Sequence, residues 1–385
     1  MIQRNIITII DDLKDKFPII ALTGPRQSGK TTLLKNRFPT YKYVSLEDPD
    51  MRNFAQNDPK GFLNTYNAYI IFDEVQRVPQ LFSYLQAVVD ASGIMGQFIL
   101  SGSQNFHLVQ QITQSLAGRV ALFKLLPFDL QELKSANLLP ERYEEAIVRG
   151  AYPALFDRKI PSAAFYANYL ATYIQRDVAE LLHVHDHRTF RAFLGLCASR
   201  VGQLLNISSL ANECGISQPT AKAWLSILES SYIIFLLPPY FQNYSKRIVK
   251  NSKLYFYDTG LVSHLLGIKM ADSLAPSPIK GSLFENLIIA EMQKQNQHQY
   301  LHQELYFWRD SNGNEIDLLI PNATKFDIFE IKSSQTILTD HFKGLDFFEK
   351  LAPDNIANKT LIYGGHEPQN RSKGAVRSWA ALDSL

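Results

Sequence analysis

The chain has 385 residues, enough for two or three domains that each bury a core. Its 46% hydrophobic and 20% charged residues exclude a disordered or fibrous chain, and a net charge of +2 is too weak to imply a polyanion partner, so any basic surface must be local. Two cysteines, Cys197 and Cys214, exclude a disulfide framework or a cysteine zinc cluster, and the opening Met1-Ile2-Gln3-Arg4-Asn5 lacks a leader pattern. With no apolar run of membrane-spanning length, the expectation is a cytoplasmic protein without membrane contact.

The first element is the apolar run Ile19-Ile20-Ala21-Leu22, a buried strand leading into Gly24-Pro25-Arg26-Gln27-Ser28-Gly29-Lys30-Thr31-Thr32. This fits G-x-x-x-x-G-K-[ST], and Leu33-Leu34 continue it as a helix, the context in which the pattern is a phosphate loop. Gly24 and Gly29 are expected to let backbone N–H groups face the phosphates. Lys30 would reach the β- and γ-phosphates of ATP, and Thr31 would help hold Mg²⁺. A second strand, Tyr69-Ile70-Ile71-Phe72, ends in Asp73-Glu74. Asp73 is expected at the Mg²⁺ and Glu74 at the attacking water. A third, Gln97-Phe98-Ile99-Leu100, runs into Ser101-Gly102-Ser103-Gln104-Asn105, where Ser103 or Ser101 is the candidate γ-phosphate sensor. Arg119, in Ser115-Leu116-Ala117-Gly118-Arg119, could stabilise transition-state charge in its own or a neighbouring subunit, or simply pair with a surface carboxylate.

Beyond residue 130 the pattern turns helical. His183-Val184-His185-Asp186-His187 has metal-like composition but lies between helical runs and is taken as a polar loop. Residues 207–229 carry a helix-turn-helix pattern: Ser208 or Ser209 as first cap, Gly215 at the turn, Ser217 as second cap, Pro219 in the first turn of the second helix. Ala211, Ile216, Ala221, Leu225 and Leu228 form its inward face. Tyr232–Leu237, Pro238-Pro239 and a return through Lys246, Arg247, Lys250 and Lys253 suit a wing, with these cations and Lys222 as possible DNA contacts. The second helix lacks an Arg or Asn placed to read a base edge, so sequence-specific readout is not expected. Residues 271–278 have linker composition.

In the last part, strands are expected around 304–309, 315–320 and 326–332, the latter two joined as a hairpin through Pro321-Asn322-Ala323-Thr324. Asp317, Glu330 and Lys332 would then approach one another, with Glu285 supplied by the preceding helix. This resembles the D…(D/E)-x-K constellation of metal-dependent nucleases, either cutting or retained as a binding fold, while Asp310 and Glu315 can be solvated strand-edge charges.

Together, the phosphate loop, IIFDEVQRVP (70–79), LSGSQNF (100–106), SLAGR (115–119), LPFDLQEL (126–133), RGAYPALF (149–156), YIQRDVAELL (173–182), YFYDTGL (255–261), GSLFENLIIAE (281–291) and FWRDSNGNEIDLLI (307–320) resemble a group of bacterial and archaeal AAA+-like ATPases with a C-terminal domain of unknown function. Ala151 departs from the glycine usual there. The resemblance implies an α/β fold: an AAA+-like P-loop core (1–130), a helical lid (131–190), a winged-helix module (191–255) and a PD-(D/E)XK nuclease-like domain (256–385). The leading expectation is a Mg²⁺-dependent ATPase that remodels duplex or branched DNA, as a homo-oligomer. A nucleotide-controlled nuclease and an ATP-gated switch binding a partner protein are the alternatives.

Overall fold

The structure, a computed structural model, describes residues 2–103, 115–173, 187–240 and 250–382. Gln104, Asn105, His183, His185, Lys246 and Arg247, named above, lie outside these residues.

The first sheet contains β1 (Ile19–Thr23), β2 (Lys42–Ser45), β3 (Ile70–Asp73), β4 (Phe98–Gly102) and β5 (Val120–Lys124), all parallel, in the order β2-β3-β4-β1-β5. Parallel strands covered on both faces read as continuous apolar runs, and β1, β3 and β4 are buried at every position. Alternation along β1 divides two cores. Ile19 and Ala21 join Phe72, Phe98 and Leu100 under Phe62, Leu81 and Leu85; Ile20 and Leu22 join Ile71 and Ile99 under Ile6, Ile10 and Leu34. The carboxyl ends of β1, β3 and β4 are therefore neighbours, with Leu22 and Asp73 both in register with Ser101.

The middle of the chain contains helices Ile207–Cys214 and Gln218–Ser230. Asn206, not Ser208 or Ser209, caps the first: its side chain accepts from Ser209 N at 3.0 Å. The structured turn begins two residues before the serines, because Asn206 still has the extended backbone of a cap. Gly215 ends that helix in left-handed geometry, and Ser217 caps the next by accepting from Thr220 N. An antiparallel pair follows, β6 (Ile234–Leu237) with β7 (Lys253–Phe256).

The long helix Lys280–His298 leads into a mixed sheet of β8 (Tyr306–Arg309), β9 (Glu315–Asn322), β10 (Lys325–Lys332), β11 (Ile356–Tyr363), β12 (Gln369–Arg371) and β13 (Gly374–Ser378), ordered β12-β13-β11-β10-β9-β8. The β9–β10 hairpin forms, but Pro321 and Asn322 belong to β9, leaving Ala323 and Thr324 as the turn. One apolar cluster extends from Leu126 to Leu382, so the helical middle and the C-terminal sheet share a core. The stretch of linker composition is part of it: Ala271–Leu274 is a helix, Leu274 is fully buried and Asp272 pairs with Arg142.

Candidate active site

The loop after β1 curls around the Lys30 ammonium, which donates to the carbonyls of Gly24 (2.9 Å) and Pro25 (2.8 Å). Gln27, Gly29 and Gly24 all take positive φ, freely for the glycines and under strain for Gln27, so the loop forms a concavity at the start of helix Lys30–Arg37. Gly24 has a reason the sequence did not disclose: a Cβ there would lie 2.1 Å from the carbonyl oxygen of Leu125. Gly29 is less crowded, with Pro153 Cγ 3.6 Å from such a Cβ. Burial pushes the Lys30 amine down to about 8, against the raising influence of Glu74 and Asp73, while Arg26 lowers it further.

At the end of β3, Asp73 Oδ2 accepts from Thr31 Oγ1 at 2.9 Å and from the Tyr43 hydroxyl at 2.6 Å. Burial and the bond to Asp73 raise the Tyr43 phenol, which keeps it a donor. Glu74 follows in left-handed backbone at φ 54°, an uncommon geometry that turns its side chain away from the strand direction. Its Oε2 accepts from Ser103 Oγ at 3.0 Å and from Gln76 Nε2 at 2.5 Å. The cleft is lined by the loop and by Glu47, Glu74, Arg77, Ser103, Thr172 and Tyr173, with Arg26 above the Tyr173 ring.

The residue set fits a nucleotide and its metal. Among the described residues, the ammonium is hydrogen-bonded to carbonyls of its own loop, a hydroxyl–carboxylate pair stands beside it, and the buried Ser28 Oγ has no hydrogen-bond partner. Of the two serine candidates, Ser103 reaches Glu74 and Ser101 remains inside β4. Tyr43 acts from a neighbouring strand with no motif of its own, and Gln76 lies within IIFDEVQRVP but its contact with Glu74 depends on the turn geometry, so neither was singled out.

Arg119 is elsewhere. Its carbonyl accepts from Ile19 N, placing it at the opening end of β1, opposite the loop. Its guanidinium pairs with Asp90 at 2.6 and 2.8 Å, so a role at its own chain's cleft is corrected to a surface ion pair.

The second candidate cluster assembles with additions. Lys332 Nζ lies 2.6 Å from Glu330 Oε2 and 3.4 Å from Asp317 Oδ2, and Asp317 also accepts from Ile331 N. Glu285, Glu315 and Asp317 each bring one oxygen within 4.8 Å of the others. Glu315 is thus not a solvated edge charge; it pairs with Arg309 and Lys253. Asp310 is likewise buried, accepting from the backbones of Asn312 and Asn314 in its turn. Lys253, expected on a DNA-facing wing, is 2% exposed and turned inward, because β7 packs under helix Lys280–His298 and its carboxylates. That excludes it as a DNA contact. Lys222 and Lys250 are exposed. Burial, then Asp317, pushes Glu330 up to about 9, and burial also raises Glu285; Asp317 is held below the usual range by Lys332 and Lys253 despite its burial.

Among the described residues, no helix is long and apolar enough to cross a membrane. Residues 16–134 match the AAA domain family, 140–272 a domain of unknown function (DUF8612) and 280–382 another (DUF4143). Among solved structures, the Walker-type ATPase of Pyrococcus abyssi has a TM-score of 0.44 at 15% identity, covering 69% of this chain and 96% of that one. The uncharacterized proteins Rv2008c of Mycobacterium tuberculosis and Mb2031c of Mycobacterium bovis are each 31% identical over 326 residues, covering 83% of this chain and 71% of theirs. With an AAA domain carried on a parallel sheet, the chain is an ATPase, and it belongs to the family of the Mycobacterium tuberculosis protein Rv2008c.

Proposed function

We propose that the chain is a Mg²⁺-dependent ATPase that turns hydrolysis into rearrangement of bound DNA. The observation that carries the coupling is the bond between Thr23 Oγ1 and the Tyr232 hydroxyl at 2.8 Å. Thr23 is the last residue before the phosphate loop, and Tyr232 lies two residues past the end of helix Gln218–Ser230. A change in the loop is thereby mechanically linked to that helix, whose exposed face carries Gln218, Lys222 and Ser226.

In this reading, Lys30 leaves the carbonyls of Gly24 and Pro25 to meet the β- and γ-phosphates, whose charge replaces those weaker acceptors. Thr31 and Asp73 would hold Mg²⁺, which supplies neutralisation of phosphate charge. The backbone of residues 24–32 cradles the phosphates. Glu74 orients the attacking water and accepts its proton, and Ser103 and Gln76 hold its carboxylate in position. The helices from Ile207 to Ser230 with β6 and β7 serve as a winged-helix module whose Lys222 and Lys250 contact DNA phosphates, and the C-terminal sheet is a nuclease-like fold retained for binding. Function as a homo-oligomer belongs to the same proposal.

A second reading is an ATP-gated switch for a partner protein, favoured by the single cation on the exposed face of helix Gln218–Ser230. Steady-state ATPase rates separate the two, measured alone and with single-stranded, duplex and four-way-junction DNA at low and moderate salt, with Glu74→Gln as the non-hydrolysing control. Salt-sensitive stimulation by one DNA form supports the DNA reading. A rate indifferent to all three, lost in Glu74→Gln, supports the switch.

A further inference from the structure

A nuclease-like constellation implies a divalent cation among its carboxylates, and the grouping of Glu285, Glu315 and Asp317 has a suitable size. Two of these carboxylates, however, already hold a cation of the chain itself. Lys253 extends from β7 with its side chain only 3% exposed; its Nζ lies 2.9 Å from Glu285 Oε1 and also pairs closely with Glu315 Oε1. The Tyr255 hydroxyl donates to the same Glu285 oxygen at 2.5 Å, and Arg309 takes the other oxygen of Glu315 at 2.9 Å. Asp317 and Glu330 share Lys332.

A hard divalent ion needs carboxylate oxygens at about 2.0–2.6 Å, and here one oxygen of Glu285, one of Asp317 and both of Glu315 already face ammonium, guanidinium or phenol donors. Entry of the ion would put a double charge against the Lys253 ammonium or force that ammonium, buried, to lose its partners. Neither the charge nor the donor set fits a metal.

We propose that Lys253 is the resident cation of this cluster: its ammonium stands where a metal-dependent nuclease would hold its ion, and the C-terminal sheet has no metal-dependent cutting centre. The cluster instead fastens β7, from the middle of the chain, to β9 and helix Lys280–His298. Three elements remote in sequence are thus tied by one side chain, and the nuclease-like pattern becomes a structural lock.

The test is Mn²⁺ titration of the nucleotide-free full chain, followed by electron paramagnetic resonance and thermal melting, in wild type, Glu285→Gln, Lys253→Gln and the double variant. Wild type and Glu285→Gln should bind Mn²⁺ alike, since neither has a site at the cluster. Lys253→Gln should gain a site that disappears in the double variant, and Mn²⁺ should raise its melting temperature by several degrees without moving that of wild type. Mn²⁺ bound by wild type and lost in Glu285→Gln would overturn the proposal, as would a folded Lys253→Gln chain that gains no site. If Lys253→Gln does not fold, wild type against Glu285→Gln decides alone. Mn²⁺-dependent nicking of supercoiled DNA by wild type, abolished in Asp317→Asn, would also overturn it.

Discussion

Lys30 makes the nucleotide cleft sensitive to pH within a mild alkaline range. In the free chain its amine titrates at about 8, chiefly because burial disfavours the ammonium. Phosphate favours the ammonium, so binding raises the amine's pKa and takes up a proton above that point. Affinity is therefore level below about pH 8 and falls by up to tenfold per pH unit above it. Fluorescent-nucleotide titration across about pH 7–9.5 measures this; an affinity constant through that window contradicts the role given to Lys30. The motif residues were legible because a phosphate loop constrains spacing within a dozen neighbouring positions. Their supports were not. Tyr43 reaches Asp73 from β2, a contact created only when the parallel strands come into register, and Gln76 reaches Glu74 across a short turn whose left-handed backbone at Glu74 no pattern announces.

At the scale of elements, the two loop glycines are unequal. Gly24, at φ +148°, sits against the backbone at Leu125, which leads out of β5, and a methyl group there would overlap an oxygen that cannot move without shifting the strand exit. Gly29, at φ +93°, would meet only the edge of Pro153. Gly24→Ala should cost about 3 kcal/mol or more, strain and overlap together, and Gly29→Ala about 1–2 kcal/mol from strain alone. Thermal melts of the nucleotide-free variants check the order; equal melting temperatures contradict it. The pattern identified β1, β3 and β4 as buried strands and β9–β10 as a hairpin, since both signals are local. It misjudged Lys253 because solvent exposure was inferred from charge, while exposure depends on what packs above; of residues 271–278, Leu274 alone is buried. Helix Lys280–His298 is the strongest case. Asn286, Glu291, Lys294 and His298 are polar yet buried, because each meets a group from a distant segment: Asn286 both backbone groups of Phe256, Lys294 the Phe128 carbonyl, His298 Asp129 and Leu126 N.

Across the whole molecule, that helix joins the ATPase sheet to the rest alongside the Thr23–Tyr232 bond. Arg4 donates to the Ser28 carbonyl inside the phosphate loop, to the Leu126 carbonyl and to Glu132, and it lies 3.4 Å from His298 at the helix end. Two turns earlier, Glu291 accepts from Leu130 N and from Gln295. Burial, then the nearby Asp129 charge, pushes Glu291 up to about 8 from an ordinary 4.5. A carboxyl raised on folding contributes stability that is complete below its unfolded value and is lost as pH rises through its folded one, here from 4.5 to about 8. Glu330, at about 9, adds a loss of the same sign. The melting temperature should therefore decline from mildly acidic to mildly alkaline solution. Glu291→Gln keeps an acceptor for Leu130 N without a titrating charge, so it should melt several degrees above wild type near pH 8 and show a shallower decline. Part of the residual slope belongs to Glu330, with Glu285 adding in the same direction, and it should shrink further when Glu330→Gln is added. Melting curves at stepped pH measure both slopes. An Glu291→Gln slope identical to wild type would mean that the junction is carried by the Arg4–Glu132 and His298–Asp129 pairs alone, with Glu291 already ionised in the folded chain.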